Sequence, residues 1–222
     1  MAKTIVIQAG GYLVLLALVY EWLGIGDRSV AQVLLTALGG AVILAGAVWL
    51  FGQALAPVLL PRRWPAFLLW ALAVALVIGV AVWLGGYRPR VGLSVASHLT
   101  LWFRRPVKPQ TMSALYGALV WIAGAAGVLA LLPFAGAAAE GVKPNARLVL
   151  GQWRYWAGCA LALAVAYWLP AWLIGWVPKL AGFALQTASL IVRFALAYAI
   201  ALAAWLGIAW LSRRFRSLDA RG

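Results

Sequence analysis

Six long stretches of this 222-residue chain carry no Asp, Glu, Lys or Arg: Thr4–Tyr20, Ser29–Pro61, Trp64–Tyr87, Pro109–Ala139, Tyr155–Pro178 and Phe194–Ser212. A hydrocarbon core about 30 Å thick takes roughly 20 mostly apolar residues per crossing helix. Each stretch meets or approaches that length. The chain therefore reads as an all-α, polytopic membrane protein with about six transmembrane helices, in a single membrane domain over 1–222. With 66% hydrophobic residues, little remains for a soluble domain.

The charge that exists is basic and lies in the loops and the C-terminal tail. Eighteen Lys and Arg stand against four acidic residues. In a soluble protein that excess would suggest nucleic acid. Here it orients the spans and meets anionic headgroups, so no nucleic-acid partner is expected. With six spans and an inner N-terminus, ten basic residues fall inside and seven outside, Arg193 left aside. That balance places both termini in the cytoplasm. The loop Arg88–Lys108 dissents, since it is the most basic one on the outer side. A bias toward Ala, Gly, Arg and Trp points to a GC-rich bacterium and hence to an inner membrane. Met-Ala-Lys runs straight into Thr4 with no A-x-A-like cleavage site, so the first segment reads as a retained helix.

Turn and cap residues set the expected helix limits. Ser29 and Gln32 have the spacing of a capping box opening the second helix, and Pro57 and Pro61 close it. The third runs from Trp64 to Gly86. The fourth starts near Thr111 and breaks at Pro133. Asn145 caps the fifth, which Pro170 kinks near its end. Along the second helix Gln32, Thr36, Gly39, Gly46 and Gln53 share one face. Small residues on such a face let helix backbones approach closely, so the stripe reads as a packing seam, with a pore lining as the alternative. Trp153, Tyr155 and Trp156 at one end of the fifth helix, and Trp168, Trp172 and Trp176 at the other, fit two aromatic belts.

Catalytic chemistry is scarce. The only histidine is His98, the only cysteine is Cys159, and the carboxylates are Glu21, Asp27, Glu140 and Asp219. A metal site needs three or four ligands, and no carboxylate pair has helical spacing. No catalytic residue, metal site or cofactor is assigned, and the chain reads as a non-enzyme. A single tetrapyrrole ligated by His98 is the one cofactor possibility the sequence leaves.

Two features invite a functional reading. Val91–Phe103 (91-103) lies between Arg88 and Arg90 on one side and Arg104, Arg105 and Lys108 on the other. Val91, Val95, Leu99 and Trp102 share a face, with Ser94 and Ser97 opposite. This predicts an interfacial amphipathic helix whose basic ends touch lipid phosphates; a re-entrant segment or a loop docked on a partner are the alternatives. The second feature is the stripe Lys179, Gly182, Gln186, Ser189 and Arg193. Arg193 reads first as an interface anchor that snorkels from a span beginning at Phe194. A buried contact with a carboxylate or carbonyls, and an anion or headgroup site with Gln186 and Ser189, are the alternatives.

Few coupling groups, short loops and much apolar and aromatic helix surface point to an accessory or stabilising subunit of a larger membrane complex. Its expected partners are anionic lipids and other membrane subunits. A small transporter or channel for an anionic or amphiphilic solute is the second reading, and a membrane enzyme of lipid metabolism the third.

Overall fold

The computed structural model describes residues 2–26, 29–56, 61–142, 150–178 and 182–217. Among them six helices are long and apolar enough to cross a membrane. These are α1 (Ala2–Leu23), α2 (Val30–Leu55), α3 (Trp64–Gly86), α5 (Pro109–Glu140), α6 (Trp153–Gly175) and α7 (Phe183–Ser217); the shorter α4 (Arg88–Phe103) lies between α3 and α5. The chain is an all-α polytopic membrane protein.

Several limits fall where local chemistry puts them. The Ser29 side chain accepts from the backbone N–H of Gln32 at 3.2 Å, satisfying one orphan donor of α2. Two prolines, by contrast, do not end their helices. α5 continues through Pro133 to Glu140, and α6 through Pro170 to Gly175. A proline in lipid is tolerated because neighbouring helices satisfy the backbone group it leaves unpaired. Asn145, Pro57 and the turn residues Asp27 and Arg28 lie outside the described residues. The described start of α6 is Trp153, with Gln152 before it.

The chain forms two compact units, residues 1–67 with 133–222, and residues 68–132. In the first, α1 and α2 pack through small residues. A Cβ on Gly39 would stand 2.9 Å from the Trp22 ring, one on Gly46 2.9 Å from Leu15, and one on Gly11 2.5 Å from Leu50. The Gly39 and Gly46 face of α2 is thus a packing seam against α1, where van der Waals contact replaces the missing hydrophobic drive between helices in lipid. Trp22 Nε1 donates to the Thr36 carbonyl at 2.7 Å and Gln8 Nε2 to the Leu50 carbonyl at 2.9 Å, tying the hairpin at two levels. α7 joins this pair. Tyr198 donates to the Ala9 carbonyl at 2.7 Å, and Trp205 stacks on Phe51 with centroids 5.9 Å apart.

The core of this unit gathers where α2 and α5 end, α3 and α6 begin, and α7 approaches its C-terminus. Leu50, Ala54, Leu55, Phe67, Ala135, Ala137, Ala139, Tyr155, Cys159, Ile208 and Ala209 are buried there. The Arg62 N–H donates to the Ala139 carbonyl at 2.9 Å. Gly141, the next residue after α5, adopts φ +80°. That left-handed turn suits glycine, which has no Cβ to clash.

In the second unit α3 packs on α5 where Gly124 meets Ala81 and Gly127 meets Val77. Tyr116 donates to the Leu84 carbonyl at 3.2 Å. Gly92 of α4 lies so close to α5 that a Cβ would be 2.7 Å from both the N and Cβ of Ser113.

Candidate functional site

α6 and α7 form an antiparallel hairpin whose register is fixed at both ends. At one end Tyr155 meets Phe215 edge to face at 6.2 Å, and Gly158 lies against Leu211. Arg214 sits 5.1 Å over the Trp210 ring and Arg154 5.9 Å over Trp153 at the same end. At the other end Arg193 meets the last carbonyls of α6. Tyr155 to Trp176 and Arg193 to Phe215 each cover a little over 30 Å, about the hydrocarbon thickness.

Arg193 is 7% exposed. Its Nε donates to the Ser189 carbonyl one turn earlier at 3.2 Å, and its Nη1 donates to the Ile174 carbonyl at 3.2 Å and to that of Trp176. The last carbonyls of a helix have no partner within it, and that end carries partial negative charge which a cation stabilises. Arg193 supplies both the donors and the charge. The expected free, snorkelling anchor is therefore corrected: the side chain is buried and fixed on carbonyls, and Glu21, exposed on the last turn of α1, is not its partner.

The stripe expected on this segment is partly brought together. Arg193, Gln186 and Ser189 line one cleft of about 360 Å³, shared with Thr187, Phe183, Leu190 and the connection residues Val177 and Pro178. Thr187 Oγ1 donates to the Phe183 carbonyl at 2.9 Å. Lys179 lies outside the described residues. Sequence reasoning missed Thr187 and the carbonyls of Ile174 and Trp176. Backbone acceptors leave no residue-type signal, and the nearby Pro178 was the only hint that a helix ended there.

The basic loop is placed differently. α4 covers the expected 91-103 and begins three residues earlier, at Arg88. Its buried positions are Gly92 and Ala96, one turn apart, whereas Val95 and Trp102 are exposed. The face of α4 packed on α5 is a small one at Gly92, which permits the close approach to Ser113, and it leaves Val95 and Trp102 of the expected apolar face uncovered. Arg88, Arg90, Arg104, Arg105 and Lys108 are all exposed. The Arg88 guanidinium reaches back over Gly117, where a Cβ would meet its Nε at 2.7 Å. Arg104 ends α4 in the left-handed region at φ 52°. Val107 N–H donates to Thr100 Oγ1 at 3.0 Å and closes the turn.

His98 is exposed, and its Nδ1 lies 2.7 Å from the Ser94 carbonyl, a contact within its own helix. An N–H at Nδ1 satisfies that acceptor and leaves Nε2 as the ring's free lone pair. Cys159, on α6, is buried in the core as a free thiol.

No protein-family model matches this chain, and no curated protein or solved structure matches it.

Proposed function

We propose that this chain is a non-catalytic accessory or stabilising subunit of a larger bacterial membrane complex, joined to its neighbours through the outer face of α6. One observation carries the reading. Ala157, Ala160, Ala164, Trp168, Ala171, Trp172 and Gly175 fall on one face of α6, and all are exposed. Ala157, Ala164 and Ala171 repeat at intervals of seven, the small-residue pattern through which membrane helices pack. The same pattern is used inside this protein between α1 and α2, where it is covered.

Trp168 adds to the argument by its depth. It is 73% exposed and lies about 12 Å before Trp176 along the helix. A belt tryptophan holds its indole N–H at the wet interface. An adjoining helix would offer this exposed indole N–H a backbone or side-chain acceptor, which acyl chains do not.

Mild extraction from the native membrane tests the proposal. A stoichiometric set of other membrane proteins should co-purify, and Ala164→Leu or Trp168→Ala should release them while leaving the chain folded. A protein that purifies alone as a homo-oligomer and moves an anionic solute across vesicles would replace this reading with transport.

A further inference from the structure

α7 overshoots α6. Arg193 bonds the carbonyls of Ile174 and Trp176, so it marks the level at which α6 stops, yet α7 begins at Phe183. The residues from Phe183 to Val192 therefore add about 15 Å of helix beyond the end of α6. The cleft lies against this overhang. Arg193 also closes the uncharged run Phe194–Ser212, which places the overhang in the headgroup layer.

The chemistry of the cleft is that of an anion site with an apolar rim. Arg193 uses Nε and Nη1 on three carbonyls, while Nη2 makes no hydrogen bond to a described residue. The carbonyls satisfy donors without supplying a full negative charge, so a buried cation remains to be neutralised. Ser189, half-buried and lining the same cleft, offers a hydroxyl. Around these, Phe183, Leu190 and Val177 are exposed apolar surface at 84%, 42% and 72%. A small inorganic anion has no use for such a rim, but a phosphate that carries glycerol and acyl chains does.

We infer that this cleft binds a phosphate group, the headgroup phosphate of a membrane phospholipid or free phosphate, with Arg193 Nη2 and the Ser189 hydroxyl as donors. A planar guanidinium suits phosphate oxygens, and a surface stem of Phe183 and Leu190 suits the lipid source. The inference stands apart from the subunit reading, since it uses neither the outer face of α6 nor a partner.

The test uses the full chain, delipidated in a neutral detergent, with binding read by native mass spectrometry. Three probes are titrated: dihexanoyl phosphatidylglycerol, inorganic phosphate and dihexanoylglycerol, which lacks the phosphate. Phosphatidylglycerol should bind once and dihexanoylglycerol at least about tenfold more weakly, as a lost hydrogen bond to a charged group implies. Strong phosphatidylglycerol with weak phosphate binding assigns the lipid; equal binding of the two assigns a free anion at the same site. Ser189→Ala should weaken binding about threefold or more, and Leu190→Trp, which fills the cleft and leaves the Arg193 bonds in place, at least about tenfold. Both variants keep the α6–α7 bonds, so their thermal unfolding should match that of the parent. Unchanged binding in both folded variants, or dihexanoylglycerol binding as tightly as phosphatidylglycerol, would overturn the site.

Discussion

The guanidinium of Arg193 donates to the carbonyl oxygen of Trp176, seventeen residues earlier in the chain, and so fastens the end of α6 to the side of α7. A charge placed at the edge of a span has become the C-terminal cap of a neighbouring helix. Its role in the fold now depends on its fork geometry, and a compact ammonium is no longer an equivalent.

Arg193→Lys is therefore expected to destabilise the protein by about 1–3 kcal/mol, because a lysine forfeits the Nε bond to Ser189 and cannot reproduce the spread of donors. Arg193→Ala should cost more, leaving the carbonyls of Ile174 and Trp176 without this donor and the end of α6 without the charge. Thermal unfolding in one detergent compares the three proteins. Equal midpoints for the parent and the lysine variant would show that only the charge matters.

Gln8 gives a prediction of opposite sign. Its side chain is fully buried and donates through Nε2 to the Leu50 carbonyl, while Oε1 has no partner among the described residues. Gln8→Met keeps the volume and removes the unsatisfied acceptor, so stability should be unchanged or higher. Gln8→Ala should lose about 2–3 kcal/mol through the cavity it leaves. Thermal midpoints of the two variants in the same detergent should diverge; a methionine variant as unstable as the alanine one would mean that Oε1 is satisfied after all.

Gly92 sets the seat of α4. A side chain there would strike the N and Cβ of Ser113 at 2.7 Å, and backbone cannot step aside as a flexible tip does. Gly92→Val should cost about 1–3 kcal/mol and lift α4 from α5. Trypsin cleavage after Arg104 should accelerate in the variant, the Arg105–Pro106 bond being resistant. An unaltered cleavage rate would argue that the two helices part readily anyway.

His98→Ala should be close to silent, within about 0.5 kcal/mol in stability. The ring is exposed and its hydrogen bond stays within its own helix, and no acidic residue lies near it in sequence to orient it as a proton carrier. A histidine-dependent visible absorption band in purified protein, lost in the variant, would assign the tetrapyrrole instead.

Both termini are expected in the cytoplasm. In a Cys159→Ala background, Ser217→Cys should resist an impermeant thiol reagent in intact cells and react after the membrane is opened. Labelling of intact cells would invert the topology.

The sequence by itself determined the class of this protein, because lipid offers backbone groups no partner and only long uncharged helical runs can cross it. It also placed Ser29 as a cap and Gly39 and Gly46 on a packing face, since these are local consequences of residue type and helical period. Other features were decided by partners distant in the chain. Pro133 and Pro170 stayed inside helices because a proline's effect depends on what surrounds the backbone carbonyl one turn before it. The face of α4 packed on α5 fell to Gly92, since the close approach to Ser113 admits no larger side chain there. Arg193 became a helix cap because α6 ends beside it, and a carbonyl oxygen is the same in every residue. Hydropathy could locate the spans; only the register of α6 against α7 could bring the carbonyls of Ile174 and Trp176 to Arg193 and leave a cleft above them.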